Sequence, residues 1–185
     1  FTWASGWKSP IYCDNRKTLS FPQVRDSIRE SFSKKIQKLY PDAECIAGVA
    51  TGAIAHGVLV ADIPNLPFIY VRSSAKGHGL QNLIEGQLIK GQKIVVIEDL
   101  ISTGQSSLNA VSAIKKAGGL VNGLLSIFSY GFDVSEEKFS AANCRYDTLT
   151  NYNILLDLAL ERRIISKQEL ESLNLWRRNP SEWKP

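Results

Sequence analysis

Methionine is absent from the 185 residues, histidine occurs twice and cysteine three times. Lacking even an initiator methionine, the chain is expected to start inside a longer reading frame. Cys13, Cys45 and Cys144 are odd in number, scattered and never spaced Cys-x-x-Cys. That pattern argues against a disulfide framework or a zinc site and for a reducing cytoplasm. No apolar run approaches the roughly 18 residues a membrane helix requires, so no membrane span is expected. The opening FTWASGWKSP has neither a charged n-region nor an apolar h-region, so no secretory signal is expected either. Charge of one sign is also scarce in excess. The 22 Lys+Arg against 18 Asp+Glu give a net +4, too little for the dense basic face of a nucleic-acid binder. What is present, 44% hydrophobic and 22% charged residues, suits an ordinary globular chain able to bury a core. Residues 1–185 are expected to form one domain.

Residues 21–40 carry Val24, Ile28, Phe32, Ile36 and Leu39 at helical spacing, with Arg25, Arg29, Lys34, Lys35 and Lys38 on a solvated face. Short apolar runs follow at 45–50, 68–71, 94–97 and 124–128. They do not alternate apolar with polar, as befits strands buried on both faces, and helical stretches at 53–62 and 106–117 separate them. This rhythm predicts an α/β fold with a parallel sheet. Leu108, Val111 and Ile114 form the inward stripe of the 106–117 helix, and Gly118-Gly119 stop it. Further helices are predicted over 135–142, 153–162 and 166–173, the last opening on Ser166 and Glu169 at capping-box spacing.

The most informative stretch is 94–107, IVVIEDLISTGQSS. Four apolar residues end in Glu98-Asp99, and a turn rich in Ser, Thr and Gly then opens a helix. Ligands of open parallel sheets bind beyond the carboxyl ends of the strands, so both acids are expected to point into that crevice. There they need a cation or sugar hydroxyls as partners. Ser102, Thr103, Gly104, Gln105, Ser106 and Ser107 then offer backbone N–H groups at a helix start together with hydroxyl donors, the chemistry of a phosphate monoester site. The helix dipole contributes only about 0.3–1 kcal/mol, so converging hydrogen bonds must supply most of the hold. Gly104 lets the backbone approach the oxygens. Competing nucleotide motifs are missing: neither G-x-x-x-x-G-K-[ST] nor G-x-G-x-x-G occurs.

The order apolar strand, two acids, two apolar residues, Ser-Thr-Gly and helix resembles the 5-phosphoribosyl-1-pyrophosphate motif of the type I phosphoribosyltransferases. Residues 5–16, SGWKSPIYCDNR, resemble the S-G-x-x-S-P-x-Y-x-D-x-R signature of the orotate phosphoribosyltransferases. Residues 48–55, GVATGAIA, look like that family's pyrophosphate loop, and 72–79, RSSAKGHG, like its mobile catalytic loop. The resemblance runs motif by motif to about Tyr130. It implies the type I fold, a mostly parallel sheet flanked by helices with a small N-terminal hood that includes residues 1–20. It also implies transfer of a phosphoribosyl group to orotate, Mg²⁺ as cofactor, and a homodimer whose loop crosses into the neighbouring site.

By the same resemblance, Glu98 and Asp99 serve the ribose hydroxyls and a metal held mainly through substrate. Thr103, Gly104, Gln105, Ser106 and Ser107 take the 5′-phosphate, while Thr51 and Gly52 face the diphosphate. Arg72, Lys76 and His78 close over it, with Lys76 the main neutraliser of leaving-group charge. Ser102 contacts the base, and Lys8 and Tyr12 lie over the orotate ring. The chain departs from the family at three points. Ala4 stands where some members carry a substrate-reaching lysine, Ser129-Tyr130 where one branch has an orotate-binding arginine, and Leu80 where that branch has an acid. Arg16 is therefore assigned to the orotate carboxylate, the alternative being a salt bridge with Asp14 or across the dimer. Two other readings are weighed. A purine phosphoribosyltransferase would share the phosphate motif but not the 5–16 signature, and a regulator that senses the activated sugar would tend to lose the catalytic loop.

Overall fold

The apolar runs become the middle of a six-stranded sheet in the computed structural model, which describes residues 1–3, 6–74 and 83–183. Its strands are β1 (Cys45–Val49), β2 (Phe68–Val71), β3 (Ile84–Glu85), β4 (Lys93–Ile101), β5 (Leu120–Ser129) and β6 (Tyr146–Asn151). They lie in the order β3-β2-β1-β4-β5-β6. All neighbours pair in parallel except β3, which runs antiparallel to β2. Helices α1 (Pro22–Leu39), α2 (Ile54–Asp62), α3 (Gln105–Lys116), α4 (Asp133–Ala141), α5 (Tyr152–Glu161) and α6 (Lys167–Arg178) accompany the strands, and a short 3-10 helix, Asn15–Ser20, precedes α1.

Successive strand residues face opposite ways, and β4 shows the consequence. Ile94 and Val96 pack with Val111 and Ile114 of α3 and Phe139 of α4. Val95 and Ile97 pack with Phe32 and Ile36 of α1 and Val60 of α2. A third cluster forms beyond the carboxyl ends of the strands, where Phe128, Tyr130, Phe132, Tyr152 and Trp176 are buried with Trp3 and Trp7 against them. The Trp176 indole N–H donates to the Lys8 carbonyl at 2.9 Å and so ties α6 to the N-terminal segment.

Several elements differ from the sequence expectation. Strands β4 and β5 are longer than 94–97 and 124–128 because their pairing continues through Leu100↔Phe128 and Ile101↔Ser129. The acids therefore sit within β4 and not after it. Helix α6 runs past residue 173 because Trp176 is buried and the Arg177 Nη1 donates to the Gly131 carbonyl at 2.6 Å. The buried stripe of α1 is narrower than expected: Phe32 and Ile36 are buried, but Val24 and Leu39 are exposed. Strands β3 and β6 were not anticipated. The Ser166–Glu169 capping box forms as expected. Among the described residues no helix is long and apolar enough to cross a membrane.

Candidate active site

The two consecutive acids of β4 differ in exposure. Glu98 turns towards α3 and is buried; its Oε2 accepts the Ser107 hydroxyl at 2.8 Å and its Oε1 the Asp99 backbone N–H at 3.1 Å. Burial first, and the Asp99 charge next, hold the Glu98 carboxyl well above the usual carboxylate range. Asp99 remains partly accessible above the turn that follows β1, with its carboxyl within hydrogen-bonding reach of the Glu98 carboxyl. Gly52 in that turn approaches so closely that a Cβ there would lie 2.3 Å from Asp99 Oδ2. The Ala50–Thr51 peptide bond in the same turn is cis. The expected crevice thus presents one carboxylate directly and holds the second behind it.

After β4 the chain turns at Gly104, whose φ of +74° suits glycine, and a Cβ there would also meet Phe139 Cε2 at 2.8 Å. Helix α3 begins at the next residue with no side-chain cap. Its first helical bond runs from the Leu108 N–H to the Gly104 carbonyl at 3.0 Å. Helix geometry consequently directs the amides of residues 105–107 out of the first turn, as an anion cup requires. Gln105 and Ser106 are exposed at its rim, whereas the Ser107 hydroxyl is turned inward onto Glu98.

Beside the cup lies a cavity of about 500 Å³ lined by Thr2, Trp3, Tyr12, Cys13, Leu100, Ser102, Thr103 and Tyr130. Burial, with the Asp99 and Asp14 charges behind it, pushes the Cys13 thiol up to about 11. Burial likewise pushes the Tyr130 phenol up to about 12. Both groups are neutral at physiological pH, so the cavity offers aromatic faces and neutral hydroxyls, a lining suited to a flat polar ring. Another cavity, of about 530 Å³, is lined by Leu83, Ile84, Gly86, Gln87 and Leu88 with Ala113, Lys116 and Ala117 of α3. Its described lining shares no residue with the carboxylate crevice.

A curated relative named orotate phosphoribosyltransferase, from Cytophaga hutchinsonii, is 53% identical over 184 residues, covering 100% of this chain and 88% of its own length. The chain belongs to the orotate phosphoribosyltransferase family. A relative of the same name from Bacteroides thetaiotaomicron is 54% identical over 183 residues, 99% of this chain and 86% of that one. Among solved structures, the orotate phosphoribosyltransferase from Aeropyrum pernix superposes with a TM-score of 0.76 at 26% identity, covering 85% of this chain and 88% of that one. No family model matches the chain. The type I phosphoribosyltransferase fold and the enzyme class follow from this membership.

The residues expected from sequence divide into three groups. Thr51, Gly52, Glu98, Asp99 and the 102–107 segment meet around one crevice, and Tyr12 lines the cavity beside it. Arg72, at the end of β2, directs Nη1 to Glu85 Oε1 at 3.5 Å. Arg16 forks Asp14, Nε to Oδ1 at 2.7 Å and Nη2 to Oδ2 at 3.1 Å, and this pairing first, with Tyr12 and Asp99 behind it, holds the guanidinium above its ordinary pKa. This fork is the salt bridge weighed as the alternative for Arg16. Lys8 does not line the Ser102 cavity; it borders a groove with Gly6, Ser181, Glu182 and Trp183. Lys76 and His78 lie outside the described residues. Sequence reasoning passed over Trp3, Cys13, Asn15 and His56, and treated Tyr130 only as a departure. The one signal available was the position of Cys13 and Asn15 inside the 5–16 signature.

Proposed function

We propose that the protein transfers the phosphoribosyl group of 5-phospho-α-D-ribose 1-diphosphate to a ring nitrogen of orotate. The products are orotidine 5′-phosphate and diphosphate, in pyrimidine nucleotide biosynthesis. The observation that carries this reading is the convergence at Asp99. The diphosphate turn lies beneath the carboxylate, the phosphate cup opens two residues past the end of the same strand, and the aromatic cavity shares Ser102 and Thr103 with that cup.

During transfer C1 of the ribose becomes oxocarbenium-like while negative charge gathers on the diphosphate, so positioning and electrostatics supply the rate and no protein nucleophile is required. Asp99 takes the ribose hydroxyls, and Glu98 supports it from behind through the Asp99 amide. The amides of residues 103–107 and the Ser106 hydroxyl hold the 5′-phosphate, and Thr51 and Gly52 face the diphosphate. Arg72, Lys76 and His78 close over it. Tyr12 and Ser102 hold the orotate ring and Arg16 offsets its carboxylate; Lys8 assists only through the backbone of its segment. Mg²⁺ would be carried mainly by substrate oxygens beside Glu98 and Asp99, hard oxygen donors that suit it. Bound in that way it would neutralise charge on the departing diphosphate. We further read residues 1–185 as one catalytic unit with 1–20 in its hood, working in the cytoplasm as a homodimer with shared sites. Three free cysteines suit that compartment.

The test follows the loss of orotate absorbance on adding the activated sugar and Mg²⁺, with adenine and guanine as controls. Turnover with orotate alone is expected; turnover with a purine, or none at all, overturns the reading. Elution as a fully active monomer at assay concentration would overturn the dimer.

A further inference from the structure

Strand β1 stops pairing with β4 at Ile97, so the Asp99 carbonyl on that side needs another donor. It meets Asn15 Nδ2 at 2.6 Å, a bond between residues 84 apart in sequence. The Asn15 side chain is almost buried, and its Oδ1 accepts the Cys13 thiol at 3.4 Å. The amide can only be oriented this way, because a flip would set Oδ1 against the Asp99 carbonyl oxygen. The Asn15 carbonyl in turn accepts the Thr18 hydroxyl at 2.5 Å. A hydroxyl has one proton, so in the 3.3 Å contact between Thr18 Oγ1 and His56 Nε2 the histidine is the donor. Burial keeps that imidazole below its ordinary pKa, in agreement with a neutral ring. His56 lies in the first turn of α2, the helix that leaves the Thr51–Gly52 turn, and Gly52 closes the circuit beneath Asp99.

We propose that Asn15 is a positioning residue that couples the two halves of the site. Its neighbours Tyr12 and Cys13 line the base cavity, while its amide fixes the main chain of the residue that faces the ribose. A base settling against the 12–13 segment therefore also settles Asp99, and a bound sugar phosphate prepares the base cavity. This inference rests on the function proposed above.

Calorimetry on the whole protein tests it, with orotate and ribose 5-phosphate as the two probes, alone and together. In the wild type, ribose 5-phosphate should tighten orotate binding about fivefold or more, within the usual span of coupling between sites. In Asn15→Ala that factor should fall to about one while each separate affinity changes by less than about threefold, and kcat should drop about tenfold with a smaller change in KM. A merely structural role would lower the melting temperature and leave the coupling factor in place. An unchanged factor in a folded Asn15→Ala, or no coupling in the wild type, overturns the proposal. Should Asn15→Ala fail to fold, Thr18→Val carries the same test, since it removes the hydroxyl that links the Asn15 carbonyl to His56; a coupling factor at least halved supports the proposal and an unchanged one overturns it. A wild type that binds neither probe overturns the functional reading itself, and the inference with it.

Discussion

Replacing Gly52 by alanine adds one methyl group where the diphosphate turn meets the ribose-facing acid. That methyl would lie 2.3 Å from Oδ2, 2.4 Å from Cγ and 2.6 Å from Oδ1 of Asp99. Ordinary van der Waals contact requires the carboxylate to retreat by about 1 Å. The retreat is inexpensive for the fold, because the obstructing atoms end a side chain and an off-rotamer χ costs about 0.5–1.5 kcal/mol. Gly52 is not among the glycines with positive φ, so alanine also recovers about 0.4–1 kcal/mol by restricting the unfolded chain. Net stability should change by no more than about 1 kcal/mol, read from urea midpoints. Catalysis should suffer far more, since a reacting group misplaced by about 1 Å can cost on the order of a hundredfold in rate. The assay is orotate consumption under saturating sugar diphosphate, alongside a thermal melt. Activity within about threefold of wild type would refute the placement of Asp99 at the ribose. A stability loss above about 3 kcal/mol would refute the claim that the carboxylate can step aside.

Glu98→Gln probes the buried acid. Burial raises the Glu98 carboxyl, so the folded state favours its protonated form; the stability this provides is full below the ordinary carboxylate range and is lost as pH rises through the raised value. Glutamine cannot ionise, so urea midpoints at about pH 5 and pH 8 should show the wild type losing stability that the variant keeps. Trp176→Ala should cost about 3–5 kcal/mol, because a fully buried indole and its bond to Lys8 are removed; chemical denaturation measures this. Lys76→Ala should slow turnover roughly a hundredfold, by analogy with one lost donor to developing charge at ~2.7–4 kcal/mol, and near-normal kcat would remove Lys76 from the reaction. Arg16→Ala should raise the KM for orotate, whereas an unchanged value would leave Arg16 to its fork with Asp14.

The legibility of this chain depends on what each residue touches. Runs such as CIAGV in β1 announce themselves because both faces are buried. The six residues YDTLTN of β6 do not, because in this half-buried edge strand the two apolar residues, Tyr146 and Leu149, stand three apart and set no strand period. Helix α6 was cut short at 173 because its anchor, Trp176, packs against aromatic rings drawn from both ends of the sequence. The same holds in the site. The cup around Gly104 is a local motif and could be read directly. The cavity walls from Trp3, Cys13 and Tyr130, and the Asn15–Asp99 bond, arise only when distant segments meet. The remaining surprise is that adjacent acids anticipated as equals differ in burial, Glu98 enclosed and Asp99 partly accessible.

That division gives the acid pair a reading order. The longer carboxylate spans the gap to Ser107 across the α3 layer, and the shorter one fits where Gly52 leaves no space for another methylene. Exchanging the two letters would conserve charge and composition while leaving one side chain short of its donor and the other obstructed. Chemistry at this edge thus depends on the order of the two acids as much as on their charge.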